Sequence, residues 1–319
     1  MIPRALQGEV FVVRQVVDLG ARVQAITGPG ALERIHERLS PPELVELTRK
    51  LSDFFRATAR EVLLGVVPRL GWPGVFYYER QPNVRIHVPY ESWLQGRQVY
   101  QQHAREVGEG KLSVHAPHKD SDHGCPINAV NLWLALGRVQ PGNGLCVYPR
   151  AFGRDALDFG EPRTFTLEPG DAVVFAGEHL HTSELNCTEE SRVVVSYRLT
   201  PGRPRYRGRS LHDYLPSHPS PTRWLRDRLI RAHTLLLKRP AAHSSPSLPD
   251  PKTSDPGGTG IWAISKEQCR VRLASGRCAT MARRCPHQGT DLAAVGRVEG
   301  ERVICPWHNL ALEPEAEEC

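Results

Sequence analysis

The chain has 319 residues, 40% of them hydrophobic and 24% charged, with a formal net charge of +6. That length can bury a good core and suits two domains, and no stretch approaches the roughly 18 consecutive apolar residues that a membrane span needs. The positive charge comes without a helix-turn-helix pattern or an aromatic–basic platform, so nucleic acid is not an expected partner. The start, Met1-Ile2-Pro3-Arg4, lacks the charged lead and apolar run of a secretory signal, and a cytoplasmic location is expected.

Residues 31–69 have a helical pattern, in which Leu44, Leu47, Leu51 and Phe54 recur at three- and four-residue steps among charged positions. From Gly74 the text changes to short β-like runs at 75–78, 84–88, 129–136, 144–148, 172–175 and 192–199. Turns such as Pro141-Gly142-Asn143-Gly144 and Glu168-Pro169-Gly170-Asp171 separate them. Short strands without intervening helices predict a mainly β fold, a β-sandwich or jelly roll, with the early helices packed outside it. Residues 223–238 return to helical periodicity with a basic face. They read as a helix closing the first domain; contact with an anionic membrane is the disfavoured alternative. Residues 240–260, rich in Pro, Ser, Gly and Asp, read as a linker. The expected layout is therefore a domain at 1–239, a linker at 240–260 and a small β domain at 261–319.

Five of the eight cysteines fall in the last 51 residues. Clustered Cys with neighbouring His in an intracellular chain reads as metal binding before disulfide. The tail reads Cys285-Pro286-His287, then seventeen residues, then Cys305-Pro306-Trp307-His308. Two mixed Cys-His pairs on separate loops can hold one metal centre from two sides, and Zn²⁺ is the chemical competitor. The two pairs, their spacing, the Pro after each Cys and Gly289 resemble the motif of the Rieske family. The resemblance implies a [2Fe–2S] cluster, with Cys285 and Cys305 on one iron and His287 and His308 on the other. Thr290 and Trp307 stand where Rieske proteins of respiratory complexes carry extra disulfide cysteines, so the tail resembles the ferredoxin and oxygenase branch. It ends eleven residues past His308, where that family usually continues with a further strand, which implies a shortened domain. Cys269, Cys278 and Cys319 take no role from the resemblance.

In the first domain, Pro117-His118-Lys119-Asp120 would place His118 and Asp120 on one face of a strand end. One imidazole and one carboxylate need a third ligand to complete a facial triad. Glu178-His179-Leu180-His181-Thr182 offers two histidines after a Pro-Gly-Asp turn and an apolar run, and His115 and His123 flank the first pair. The stretches His118-Lys119-Asp120-Ser121-Asp122-His123-Gly124 and His181-Thr182-Ser183-Glu184-Leu185-Asn186, with the strands that follow each, resemble the phytanoyl-CoA-dioxygenase-like branch of Fe(II)/2-oxoglutarate oxygenases across roughly residues 75–200. The resemblance implies a double-stranded β-helix, the jelly roll of the strand pattern, with Fe(II) held by His118, Asp120 and His181. It also implies that Arg192, eleven residues after His181, grips the distal carboxylate of 2-oxoglutarate, for which a guanidinium supplies a bidentate fork. Arg198 would share the face of Arg192 on an unbulged strand and is the substitute for it. Asn131 would reach the co-substrate or satisfy the backbone, and Arg85 and His87 are further pocket groups.

The implied reaction uses O₂ and 2-oxoglutarate to oxidise a C–H bond of a small molecule, giving succinate and CO₂. Hydroxylation, desaturation and ring formation all fit. Such chemistry does not require a cluster, so the Rieske module is expected to reactivate oxidised iron or supply electrons from a reductase or ferredoxin partner. Two other readings stay open: an oxygenase driven by external electrons through the cluster without 2-oxoglutarate, and a non-enzymatic iron- or redox-sensing protein.

Overall fold

The computed structural model describes residues 4–72, 74–107, 112, 116–152, 160–207, 210, 212–218, 229, 250–286, 290–307 and 309–314. A 3₁₀ turn (Arg4–Gln7) leads into β1 (Phe11–Val13), α1 (Gly20–Thr27), α2 (Ile35–Arg38) and the long α3 (Pro41–Val66). Ser40 starts α3: its amide donates to the Glu43 carboxylate at 2.8 Å, and Pro41 and Pro42 occupy the first turn, where a missing N–H costs nothing. The buried stripe of α3 runs through Leu44, Leu47, Leu51, Phe55, Val62 and Leu63. Phe55, four residues past Leu51, is fully buried, whereas Phe54 is only partly so.

Next come β2 (Tyr77–Glu79), β3 (Asn83–His87) and α4 (Tyr90–Val107). Helix α4 corrects the expectation that no helix interrupts the strands. Its apolar members, among them Trp93, Val99 and Tyr100, fall on a weak stripe and pack beside α3 instead of entering the sheet. The β-rich stretch continues with β4 (Val130–Ala135), β5 (Leu145–Tyr148), β6 (Ala172–Ala176), β7 (Leu180–Ser183), β8 (Arg192–Thr200) and β9 (Tyr214–Pro216). These build a large antiparallel sheet in the order β1-β6-β4-β8-β2-β9, with β3 also on β8, and a small sheet of β5 and β7.

Strand alternation gives the large sheet two different faces. Val84, Ile86, Leu132, Leu134, Val193, Val195 and Tyr197 face the helices. Trp133, Ala135, Val173, Phe175 and Val194 face Leu145 and Val147 of the small sheet. The result is the jelly roll, with helices against the outside of one sheet and the chemistry-bearing residues between the two.

The C-terminal module pairs β10 (Gly260–Ala263), β11 (Gln268–Arg272) and β12 (Cys278–Ala282) in one sheet. A second sheet holds β13 (Arg297–Glu299), β14 (Arg302–Cys305) and β15 (Leu310–Leu312), with the short α5 (Leu292–Val295) between them. β15 supplies a strand after the second ligand loop. Ile261, Val271, Leu273, Leu292 and Val303 form the core, which Cys269 joins as a buried apolar member. Cys278 is disulfide-bonded. The module reaches upstream of Ile261: the Lys252 amide donates to the Ala293 carbonyl at 3.1 Å, and Arg272 pairs with Asp255 at 2.7 Å. The basic helix expected at 223–238 and linker residues 240–249 fall outside the described residues, Leu229 excepted. Among the described residues no helix is long and apolar enough to cross a membrane.

Candidate metal centre

His118 and His181 meet through the backbone. Each donates its amide to the other's carbonyl, at 3.1 and 3.0 Å, an antiparallel bridge that turns both side chains to one face. Their rings lie 4.5 Å apart, centroid to centroid. Asp120 opens a 3₁₀ turn (Asp120–His123) two residues beyond His118, and its amide donates to the Gly177 carbonyl at 2.9 Å. The potential ligand atoms of His118, Asp120 and His181 lie within 4.8 Å of one another, and all three residues are buried.

The imidazoles are oriented from behind. Nδ1–H of His118 donates to the Ala116 carbonyl at 2.7 Å, and Nδ1–H of His181 donates to the His179 carbonyl at 2.9 Å. A carbonyl only accepts, so these contacts fix the proton on Nδ1 and leave the Nε2 lone pair of each ring for a metal. Burial lowers the pKa of His181, against an opposing pull from Asp120, which favours the neutral ligand form.

Asp120 is fully buried. Burial would raise its pKa, but Arg198 chiefly, then His181 and His118, hold it well below the usual carboxylate range. Arg198 donates from Nε (2.9 Å) to one carboxylate oxygen, and Asn131 donates from Nδ2 (2.6 Å) to the other. Gly177 supplies the room: a Cβ there would stand 2.9 Å from the Asp120 oxygen. Arg198 also pairs with Glu79 at 2.9 Å, and Glu79 accepts from Nδ1 of His212 at 2.6 Å. The Cys125 sulfur lies 3.5 Å from Nε2 of His212. Asp120, Arg198, Glu79, His212 and Cys125 thus form one continuous polar chain leading outward from the metal site.

Arg192 lies on the same face of β8 as Arg198 but in a different setting. It is completely buried, and among the described residues no carboxylate pairs with it. Its Nη1 donates to the carbonyls of Asn143 (2.8 Å) and Gly144 (2.5 Å), and its Nη2 donates to Nδ1 of His87 (2.6 Å) and the Ser183 hydroxyl (3.1 Å). Its Nε has no hydrogen-bond partner among the described residues. Burial first, then Arg85, lowers its pKa to about 9, so the guanidinium stays charged at neutral pH. Arg85 stands between the two arginines on β3, in register with Val194, and His87 lies in register with Arg192.

The competing histidines have other positions. Ring nitrogens of His179 lie 3.2 Å from the carbonyls of Ala176 and Gly8, and Phe152 covers the ring at 4.6 Å, so this side chain pins the N-terminal segment to the barrel. His123 is exposed and meets the His118 ring edge-on at 4.8 Å. His115 falls outside the described residues.

In the C-terminal module, Cys285, in a loop, and Cys305, at the end of β14, are both buried, at 2% exposure. Contact with the Cys285 thiol, then burial, raises the pKa of Cys305 far above its ordinary value. Such adjacent thiols suit a shared positive centre that would take their protons. His287 and His308 fall outside the described residues.

The fold and site define a jelly roll carrying a buried two-His, one-carboxylate cluster, followed by a cysteine-bearing β module. The family model described as the Rieske [2Fe-2S] domain matches residues 248–319, and the C-terminal module is a Rieske domain. Comparison with curated proteins gives no match. Among solved structures, the non-heme alpha-ketoglutarate-dependent epimerase SnoN from nogalamycin biosynthesis aligns at 14% identity and a TM-score of 0.36, over 62% of this chain and 80% of its own. The carbocyclase SnoK of the same biosynthesis aligns at 13% identity and 0.36, over 62% and 82%. An oxidoreductase of the 2OG-Fe(II) oxygenase family from Burkholderia pseudomallei aligns at 16% and 0.30, over 44% and 53%.

Sequence reasoning missed Glu79, Gly177, Ser183 and His212. Only Gly177 carried a local signal, as a glycine between an apolar strand and the two-histidine stretch. Ser183 shares the face of His181 on β7, Glu79 arrives through strand register, and His212 through the segment before β9.

Proposed function

We propose that the chain is an Fe(II)/2-oxoglutarate-dependent oxygenase that hydroxylates or otherwise oxidises a small molecule with O₂, and that its Rieske module supplies electrons to keep the iron ferrous. The observation that carries the reading is the pairing of two sites on the inner face of one barrel. One is the His118–Asp120–His181 cluster. The other is Arg192, a buried cation whose partners among the described residues are all neutral.

The donor set fits iron. Two neutral imidazoles and one ionised carboxylate leave coordination positions open, the pattern of non-haem Fe(II) oxygenases. When bound, iron in such a set would be chelated by a 2-oxo acid and would supply O₂ activation. The protein's own share is positioning. Arg198 and Asn131 fix Asp120, Arg198 with two nitrogens on Oδ1 and Asn131 with one on Oδ2, which leaves a lone pair of Oδ2 for a metal. The carbonyls of Ala116 and His179 fix the imidazoles. Arg192, held in a fork by Asn143, Gly144 and Ser183, offers its charge to the distal carboxylate of the keto acid. A desolvated guanidinium strongly favours an anionic partner. Trp133 and Phe175 shield the inner face from water.

Anaerobically purified protein should contain about three irons and two labile sulfides per chain, one cluster plus one mononuclear site. It should also convert 2-oxoglutarate to succinate under O₂, and Asp120→Ala should abolish succinate while leaving the cluster spectrum intact. Absence of succinate together with strict dependence on an external reductase would replace this reading by electron supply through the cluster. Bound iron with neither activity would leave a sensing protein.

A further inference from the structure

We infer that the outer face of the small β5–β7 sheet is the docking platform for the cluster-bearing loop, and that Tyr148 couples the Rieske module to the mononuclear site within one chain. This rests on the function proposed above and names the route by which the electron arrives.

The register of the small sheet carries the argument. Val147 pairs with His181 and Tyr148 with Leu180. Alternation then puts Val147, His181 and Ser183 on the inner face, where His181 meets His118 and Ser183 accepts from Arg192. Cys146, Tyr148 and Leu180 point the opposite way and form a separate buried cluster with Ala151. The metal ligand and Tyr148 therefore stand on opposite faces of a two-stranded sheet, one residue apart in register.

The loop that contains Cys305 is tied to that outer face at both ends. The Tyr148 hydroxyl donates to the Pro306 carbonyl at 2.5 Å, directly beside the Cys305 ligand. Asn309 donates from Nδ2 to Oε1 of Glu184 at 3.0 Å, while Oε2 of Glu184 accepts the amides of Gly142 (3.0 Å) and Gly144 (2.9 Å). Arg297 of the module steadies Asn309 from behind at 2.8 Å. Tyr148 is 1% exposed and Glu184 is 2% exposed. Undocking would strip partners from a buried hydroxyl and a buried carboxylate, so the contact is a built interface and not a loose encounter.

A continuous path follows: the Pro306 carbonyl, the Tyr148 hydroxyl and ring, the cross-strand backbone, then His181. It spans one sheet and the side chains on its two faces, on the order of 10 Å given the usual spacing of packed layers. With both groups bound, one electron would pass from the reduced [2Fe–2S] cluster to ferric mononuclear iron and return it to the ferrous state. A reductase, a ferredoxin or a chemical one-electron donor re-reduces the cluster, and Tyr148 keeps its proton throughout.

The test uses the full-length holoprotein, oxidised to the ferric state and given one equivalent of dithionite, with freeze-quench EPR following the reduced-cluster and high-spin ferric signals. The expected result is first-order loss of the ferric signal at a rate independent of protein concentration. Tyr148→Phe, which removes only the hydroxyl, should slow it about tenfold, the effect of one buried hydrogen bond on docking, with cluster signal and potential unchanged. Hydrogen exchange supplies a readout independent of iron: in the metal-free chain, Tyr148→Phe with Glu184→Gln should speed amide exchange in residues 303–312 about tenfold. A rate proportional to concentration, a Tyr148→Phe rate equal to wild type, or unchanged exchange would overturn the inference while leaving succinate formation and the proposed function standing. Lack of any mononuclear ferric signal or succinate would instead remove the proposed function, and the electron route with it.

Discussion

Arg198 binds one carboxylate oxygen of Asp120 with two nitrogens, Nε at 2.9 Å and Nη2 at 2.8 Å, while its remaining Nη1 holds Glu79 at 2.9 Å. One guanidinium therefore compensates two buried carboxylates, and only one of the two belongs to the metal site. Without iron, Asp120 relies on Arg198 for most of its stabilisation, since burial alone would drive it to protonate.

Removing that cation should be costly. Arg198→Met leaves Asp120 buried without its guanidinium and Glu79 with His212 as its remaining cation, and breaking a buried pair costs about 3–5 kcal/mol. Urea denaturation of the metal-free protein should show a loss of this size. Fe(II) should restore part of it, because a second cation then stands beside Asp120. Arg198→Lys keeps the charge but loses the fork, so its loss should be smaller. A variant as stable as wild type would show that the carboxylates do not depend on Arg198.

Gly177 tests the placement of Asp120 without touching a ligand. The Cβ of Gly177→Ala would meet the Asp120 oxygen at 2.9 Å, and the carboxylate, held by Arg198 and Asn131, has little room to yield. Iron affinity should fall about 10- to 100-fold, the usual effect of disturbing a ligand's support, while cluster absorbance stays unchanged. An iron titration with unaltered affinity would show that Asp120 can shift.

The outer end of the polar chain should titrate at alkaline pH. Hydrogen bonds to Cys125 and then to Glu79 raise the pKa of His212 from 6.5 to about 10. A group whose folded pKa is raised contributes stability that is fully present below its unfolded pKa. That contribution is then lost as pH climbs from about 6.5 through about 10. His212 is partly exposed, so the expected loss over this window is on the order of 1–2 kcal/mol. Denaturation midpoints should decline across it in wild type, and His212→Gln should flatten the decline.

Much of this architecture was legible in the linear text, for definable reasons. The strands of the jelly roll are short apolar runs bounded by Pro and Gly, a local signal, and the core runs at 129–136 and 172–175 coincide closely with β4 and β6. Helix α4 was not legible, because its inward stripe is thin, a few residues such as Trp93, Val99 and Tyr100 set among polar ones. The choice between His179 and His181 depends on which of them bridges His118 across more than sixty residues, and register of that kind has no local trace. Glu79 was hidden for the same reason. Beside Arg80 it reads as an exposed acid, and only the pairing of β2 with β8 brings it to Arg198. The Rieske motif was the reverse case, its ligand spacing being written in the chain itself.

Arg192 offers the sharpest test of the co-substrate. Its guanidinium touches two carbonyls, an imidazole and a hydroxyl, none of which neutralises it, and it lies over the Trp133 ring at 5.4 Å. A cation buried this way is expected to contribute its charge only when an anion arrives. Arg192→Met should raise the KM for 2-oxoglutarate about 10- to 100-fold, the value of a charged hydrogen bond, and should lower kcat much less. Truncation also frees the carbonyls of Asn143 and Gly144, so a general loss of stability must be separated from a loss of recognition. A 2-oxo acid without a distal carboxylate provides the separation. Wild type should strongly prefer 2-oxoglutarate over it, and the variant should lose most of that preference, whereas mere destabilisation would weaken both equally. Retained preference in the variant would move the carboxylate site to another cation, with Arg85 on the adjacent strand β3 the next to substitute.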